Sequence, residues 1–193
     1  ITSTNICSSR CRFCGFARDA GDPEAFRLTL EEIARRAAEA AAAGATEVCL
    51  QGGIDPDLAP DHYLEILRAV RAAAPALHIH AFSPFEIDRG AARHGLGLRD
   101  HLLALKEAGL DSMPGTAAES FDAEIRARLA PHKISTERWI EVVETAHALG
   151  IPTTATMMYG HIDGPEHWVR HLAVIRDIQR ETGGFTEFVP LGF

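Results

Sequence analysis

Three of the four cysteines of this 193-residue chain lie within eight residues, in the segment NICSSRCRFCGF. Cys7, Cys11 and Cys14 are separated by three and then two residues, in a polar stretch that would make a poor hydrophobic core. Thiolates at this spacing can bind three irons of a [4Fe–4S] cluster and leave the fourth iron open for a substrate. The alternative is a structural zinc site with a distant histidine as fourth ligand.

Apolar spacing and helix-end signals predict five helices, at residues 29–43, 61–74, 98–108, 135–149 and 165–183. A short apolar run follows each helix, and ITSTNIC precedes the first helix. The predicted strands are therefore ITSTNIC, TEVCLQ, LHIHAF, LDSMP, TTATMM and FTEFVP. Strands that alternate with helices in this way form parallel sheets with right-handed crossovers.

Two α/β architectures fit this alternation: a doubly wound open sheet and all or part of a (β/α) barrel. No glycine-rich nucleotide fingerprint follows the first strand, and polar residues stand at the carboxyl ends of the strands. We therefore expect a partial (β/α)6 barrel of the TIM type, with the cysteine loop at the carboxyl end of the first strand, where such barrels have their active sites.

The alternation of side chains along the strands predicts a polar lumen. In LHIHAF, one face carries His78, His80 and Phe82, and the aliphatic residues share the other face. Aliphatic residues suit packing against helices, whereas polar residues in the lumen indicate a ligand cavity. His78 and His80 are therefore candidates for proton handling or substrate hydrogen bonds, with an ordinary hydrogen-bonded histidine as the alternative.

The composition narrows the class of protein. The net charge is −8 and the arginines are scattered, which argues against a nucleic-acid partner. No apolar run has the length of a membrane span, and four cysteines do not make a disulfide framework, so we expect a cytoplasmic protein. We expect residues 1–193 to form a single domain, and to be a fragment of a longer chain because the sequence starts at Ile1 and stops directly after an apolar run.

The cysteine loop resembles the signature of the radical S-adenosylmethionine (SAM) superfamily, CxxxCxxC with an aromatic residue, here Phe13, before the last cysteine. The resemblance implies a [4Fe–4S] cluster bound by Cys7, Cys11 and Cys14, and SAM as the second cofactor. LQGG at the end of the second strand is similar to the glycine motif of this superfamily. It implies that Gln51, Gly52 and Gly53 lie beside the amino group of SAM, with an ordinary turn as the alternative.

Longer stretches, including ATEVCLQGGIDPDL, HIHAFSPFEI and TTATMMYGH, resemble the subgroup that contains the FO synthases and the futalosine enzymes of menaquinone biosynthesis. PGTAAE and HIDGPEHWVRHL are most similar to the tyrosine-using FO synthases. The implied reaction cleaves L-tyrosine and joins its hydroxybenzyl group to 5-amino-6-(D-ribitylamino)uracil. The implied partners are the other FO synthase component or fused half and an electron donor. A futalosine-pathway enzyme and a non-catalytic zinc-stabilised binding domain are the alternatives.

The resemblance also implies roles for single residues. Glu119 would accept the ribose hydroxyls of SAM, and Arg126 would pair with its methionyl carboxylate. Backbone near Tyr159 would contact adenine, and His161 joins the two lumen histidines as a candidate for proton handling. A solvated carboxylate at a helix start is the alternative for Glu119, and a surface arginine is the alternative for Arg126.

Overall fold

The computed structural model describes all residues from Ile1 to Phe193. It contains seven helices: α1 (Leu30–Ala42), α2 (His62–Ala73), α3 (Pro84–His94), α4 (Leu98–Ala108), α5 (Ala123–Leu129), α6 (Thr136–Ala148) and α7 (Pro165–Thr182). Its four strands are β1 (Glu47–Leu50), β2 (His78–Ala81), β3 (Thr153–Tyr159) and β4 (Phe185–Gly192). All five predicted helices are present.

Parallel pairing connects the chain into one curved layer. β1 pairs with β2, and β3 pairs with β4, in parallel in both cases. Single parallel bridges extend the layer: Thr2 pairs with Gln51, and residues 112–113 join β2 to β3. The resulting order is the first segment, β1, β2, the 112–113 segment, β3 and β4, which confirms the predicted partial barrel.

The prediction was inaccurate in three local features. The first and fourth predicted strands are reduced to isolated bridges, although they occupy the predicted positions. Helix α3 was not predicted, but its start is well specified: Ser83 caps it, Pro84 occupies its first turn and Glu86 completes a capping box. Phe82 was expected in the lumen, but its ring is 4.5 Å from that of Tyr63 on α2, because the strand ends at Ala81.

The two faces of the strands differ as the alternation predicts. Val48 and Leu50 on β1, and Ile79 on β2, are buried against the helices. Glu47 and His78 are exposed on the concave face. Burial of the aliphatic face supplies the hydrophobic core, so the concave face is left to polar side chains. None of the helices is long and apolar enough to cross a bilayer.

Candidate active site

The cysteine loop is closed at its base by backbone pairing. Ile6 pairs with Arg18, and the amide of Cys7 donates to the carbonyl of Arg18 at 3.1 Å. Within the loop, the amide of Cys14 donates to the carbonyl of Cys11 at 3.1 Å, which forms a tight turn between two of the thiols. All three thiols are free, and Cys7 and Cys11 are half-buried while Cys14 is exposed. The loop is thus a defined structure that holds three unpaired thiols.

The Gly52–Gly53 turn lies directly against the first segment. The amide of Gly53 donates to the carbonyl of Thr4 at 2.8 Å. A Cβ atom on Gly53 would overlap the carbonyl oxygen of Ile6, and one on Gly52 would overlap the hydroxyl of Ser3. At position 53 glycine is therefore required for the close approach of two backbones, which places the turn beside the cysteine loop, whereas the Ser3 hydroxyl next to Gly52 can rotate.

A buried glutamate supports this turn. One carboxylate oxygen of Glu86 accepts from the amide of Gly52 at 2.8 Å, and the other accepts from the amide of Ser83 at 2.8 Å and from its hydroxyl at 2.6 Å. The side chain is almost completely inaccessible to solvent. Desolvation raises the pKa of Glu86 to about 7, although the hydrogen bonds from Ser83 and Gly52 oppose the shift.

The opposite wall of the site is the loop of residues 115–121. Ala117 and Glu119 have positive φ angles of 67° and 47°, which is strained for residues with a Cβ atom. Arg126 on α5 stabilises this conformation, since its guanidinium donates to the carbonyls of Ala117 at 3.1 Å, Ala118 at 2.5 Å and Ser120 at 3.0 Å. It also donates to the carbonyl of Ile134. Four backbone acceptors thus satisfy a buried cation.

Glu119 on this loop forms an ion pair with Lys133, and both side chains are almost buried, with 11% and 14% exposed. Burial alone would lower the pKa of Lys133. Electrostatic interactions with Glu119 and Cys11 and the hydrogen bond to Glu119 outweigh that effect, so the pKa of Lys133 is raised. The ammonium also lies 5.2 Å from the ring centroid of Phe13, in the cysteine loop. Lys133 therefore connects the two sides of the site.

A pocket of about 330 Å³ lies between these walls. That volume is in the range of small-molecule sites. The pocket brings together eight of the residues predicted from the sequence, which are Cys7, Cys11, Phe13, Cys14, Gln51, Gly52, Gly53 and Glu119. Gln51 is fixed at its side-chain oxygen, which accepts from the hydroxyl of Thr116 at 2.9 Å.

The other predicted residues lie outside the pocket. Arg126 is behind the 115–121 loop, where the carbonyl groups occupy its donors. Tyr159 is at the carboxyl end of β3 and packs edge-on against Trp168. His161 follows β3 and contacts Phe193, with ring centroids 4.0 Å apart. His78 and His80 are in the lumen, both within hydrogen-bond distance of the hydroxyl of Ser112. The functions expected of these five residues stay predictions.

Two residues of the site were missed from the sequence, Glu86 and Lys133. A signal existed for Glu86: SPFE fits the S-x-x-E capping box and follows directly on a predicted strand. For Lys133 no local pattern exists, because its partner Glu119 is 14 residues away in the chain. Their contact depends on how α5 folds back over the loop.

The cysteine geometry fits a cluster better than a single metal ion. Thiolates bound to one tetrahedral zinc at about 2.3 Å have sulfurs roughly 3.8 Å apart. The three cysteine sulfurs do not all lie within 4.8 Å of one another, since the only group of three side chains that meets this limit is elsewhere. A cube that binds each thiolate through a different iron accommodates the wider separation.

The sequence matches the radical SAM superfamily over residues 1–175. The chain belongs to this superfamily. It is 56% identical over all its residues to FO synthase from Mycobacterium leprae, of which it covers 22%. It is 55% identical to the 5-amino-6-(D-ribitylamino)uracil–L-tyrosine 4-hydroxyphenyl transferase from Methanopyrus kandleri, of which it covers 52%. The chain thus spans about half or less of the length of these relatives.

Solved radical SAM structures have the same fold. HydG, a maturase of the [FeFe]-hydrogenase, superimposes with a TM-score of 0.74 at 16% identity, over the whole of this chain and 41% of HydG. SuiB from Streptococcus suis, solved with SAM bound, gives a TM-score of 0.68 at 14% identity, over 100% of this chain and 40% of SuiB. At these identities the likeness concerns the radical SAM fold alone.

Proposed function

We propose that Cys7, Cys11 and Cys14 bind a [4Fe–4S] cluster and that SAM occupies the adjoining pocket. The observation that carries the proposal is that the three free thiols and the Gln51–Gly53 turn line one pocket. When bound, the cluster and SAM would together supply one-electron cleavage of SAM and a strongly hydrogen-abstracting radical. The protein residues bind and orient the cofactors and exclude water around them.

The walls of the pocket divide these tasks. Glu86 occupies the amide of Gly52 and thereby fixes the turn that would meet the amino group of SAM. Glu119 presents a carboxylate to the pocket and would accept the ribose hydroxyls, with Lys133 holding it in place. The Lys133 ammonium lies near the cysteine loop and would offset part of the negative charge of a thiolate-bound cluster.

For the complete protein, we propose transfer of the 4-hydroxybenzyl group of L-tyrosine to 5-amino-6-(D-ribitylamino)uracil, as a step of FO biosynthesis. The relatives named for this reaction match the chain over its full length at 55–56% identity. The other FO synthase component, fused or separate, would act together with it, and an external donor would supply the electron. The polar concave face of the strands suits substrates rich in hydrogen-bonding groups.

Cluster binding is tested by anaerobic reconstitution followed by iron and sulfide analysis. We expect about four irons per chain, and a loss of nearly all of them in Cys11→Ser. Cys49→Ser is the matched control, because Cys49 is also a free cysteine but lies exposed on β1, outside the pocket. Iron that is retained in Cys11→Ser, or lost equally in Cys49→Ser, would refute the assignment.

The substrate is tested separately with the reduced holoenzyme and SAM. We expect 5′-deoxyadenosine to form when both L-tyrosine and 5-amino-6-(D-ribitylamino)uracil are present, together with a coupled product. Formation with a futalosine-type substrate alone would show that the transferase assignment is wrong while the superfamily chemistry is right. Because the cluster is measured beforehand, a substrate failure is distinguishable from a cofactor failure.

A further inference from the structure

Three polar side chains converge in the lumen, at the end of the strands opposite the cysteine loop. Glu47 begins β1 and is the register partner of His78, which begins β2; His80 lies two residues further along β2. Residues two apart on a strand share a face, so both imidazoles are on the lumen side. Each of the three residues places a ligand atom within 4.8 Å of the other two.

We propose that Glu47, His78 and His80 form a binding site for one divalent transition-metal ion, with Zn²⁺ as the best-fitting ion. Two imidazoles and one carboxylate are a donor set that binds zinc in open sites, with a fourth position left for water or substrate. No other group of three His, Cys, Asp or Glu side chains in the chain has ligand atoms this close together.

Ser112 shows how the site is organised without a metal. Its hydroxyl oxygen is 2.7 Å from Nε2 of His78 and 2.6 Å from Nδ1 of His80. One hydroxyl proton can serve only one of the two ring nitrogens, so the other nitrogen must donate to the oxygen. A metal ion would use the lone pairs of both nitrogens at once, and the Ser112 hydroxyl would then move aside or act as a fourth ligand.

The carboxylate of Glu47 completes the set. Its oxygen is 3.8 Å from Nε2 of His78, and the two side chains are 52% and 43% exposed on the concave face. An ion could therefore enter from the lumen without any change in the helix-packed core. The open coordination position would face the lumen and present a Lewis acid to a polar group there.

The test uses holoenzyme whose cysteines already bind the cluster. Zinc is added by equilibrium dialysis, and zinc and iron are measured in the same sample. We expect one zinc per chain beyond the cluster iron. Zinc X-ray absorption should show nitrogen and oxygen neighbours at about 2.0–2.1 Å and no sulfur at about 2.3 Å. This readout does not depend on the SAM reaction, so it can fail independently of the proposed function.

Variants assign the ion to its ligands. His80→Ala and Glu47→Gln should each weaken zinc binding by about 100-fold or more. Ser112→Ala should bind within tenfold of the wild type, because it removes the hydroxyl and leaves all three ligands. His132→Ala, an exposed histidine elsewhere, is the control. A sulfur shell, no bound zinc in the wild-type holoenzyme, or binding by His80→Ala and Glu47→Gln as tight as that of the wild type and of His132→Ala would overturn the proposal. The cluster iron content reports whether each variant has folded. If His80→Ala does not fold, Glu47→Gln still tests the proposal, because Glu47 is exposed.

Discussion

The two walls of the pocket each contain a buried glutamate, but different groups surround the two carboxylates. In the wall formed by the glycine turn after β1, Glu86 of α3 receives hydrogen bonds only from neutral donors, on Gly52 and Ser83. In the 115–121 loop, Glu119 pairs with the ammonium of Lys133. Neutral donors do not offset the loss of hydration, so the pKa of Glu86 rises to about 7, whereas the carboxylate of Glu119 helps to raise the pKa of Lys133 despite its burial.

This difference separates two ways of building a cofactor site. The Glu86 wall depends on close backbone approach, which glycine allows, and its charge changes near neutral pH. The 115–121 wall depends on two buried cations, Lys133 and Arg126, that hold a strained loop. The first wall should therefore respond to pH and to added volume, and the second to removal of a cation.

The largest effect is expected for Lys133→Met. Removing the ammonium leaves Glu119 buried without its partner, which should lower the free energy of unfolding by about 3–5 kcal/mol. Urea unfolding at pH 7 measures it. The double variant Lys133→Met, Glu119→Gln should recover most of the loss, because the unpaired charge is then absent. If the double variant is as unstable as the single one, the ion pair does not account for the effect.

The next effect is a pH dependence assigned to Glu86. Its pKa is about 7 in the folded state and 4.5 as a free group, so the folded protein holds more protons between these values. The free energy of unfolding of the wild type should therefore fall by about 3 kcal/mol as pH rises from 4.5 to 7. Glu86→Gln should not show this decrease. Urea unfolding across that range measures the difference. Glu181→Gln, at an exposed position, should keep the wild-type slope. Parallel curves for wild type and Glu86→Gln would contradict the raised pKa.

A smaller effect is expected for added volume in the glycine turn. In Gly53→Ala the new methyl group would overlap the carbonyl of Ile6, and the backbone shift should lower stability by about 2 kcal/mol. Gly21→Ala is the matched control, since nothing lies within 4 Å of a Cβ at that position. Thermal unfolding compares the two variants. Similar melting temperatures would mean that the close approach of the turn to Ile6 is not required.

The smallest effect is expected for an exposed ion pair of the cysteine loop, Arg10 with Asp19, which lie 2.6 Å apart with 68% and 66% of their side chains exposed. Solvent screens this pair, so Arg10→Met should change the free energy of unfolding by less than about 1 kcal/mol, and less still at high salt. Urea unfolding measures this alongside Lys133→Met. A loss comparable to that of Lys133→Met would show that burial does not distinguish the two pairs.

Much of the fold is predictable because its signals are local. The five predicted helices have apolar stripes and end at a glycine or before a proline, and the strands have alternating faces. The predictions failed where pairing with neighbours decides the outcome. Residues 111–113 and the first segment have strand-like sequences, but they form too few ladder contacts to be continuous strands.

The sequence by itself determined the spacing of Cys7, Cys11 and Cys14 and the alternation of strands and helices. These follow from neighbours in the chain, whose chemistry and periodicity are visible without coordinates. Only the tertiary structure decided that Glu86 contacts Gly52, that Lys133 pairs with Glu119, and that Arg126 is surrounded by carbonyl groups. Those contacts join residues from separate elements, and burial fixes their charges and energies, so no local pattern specifies them.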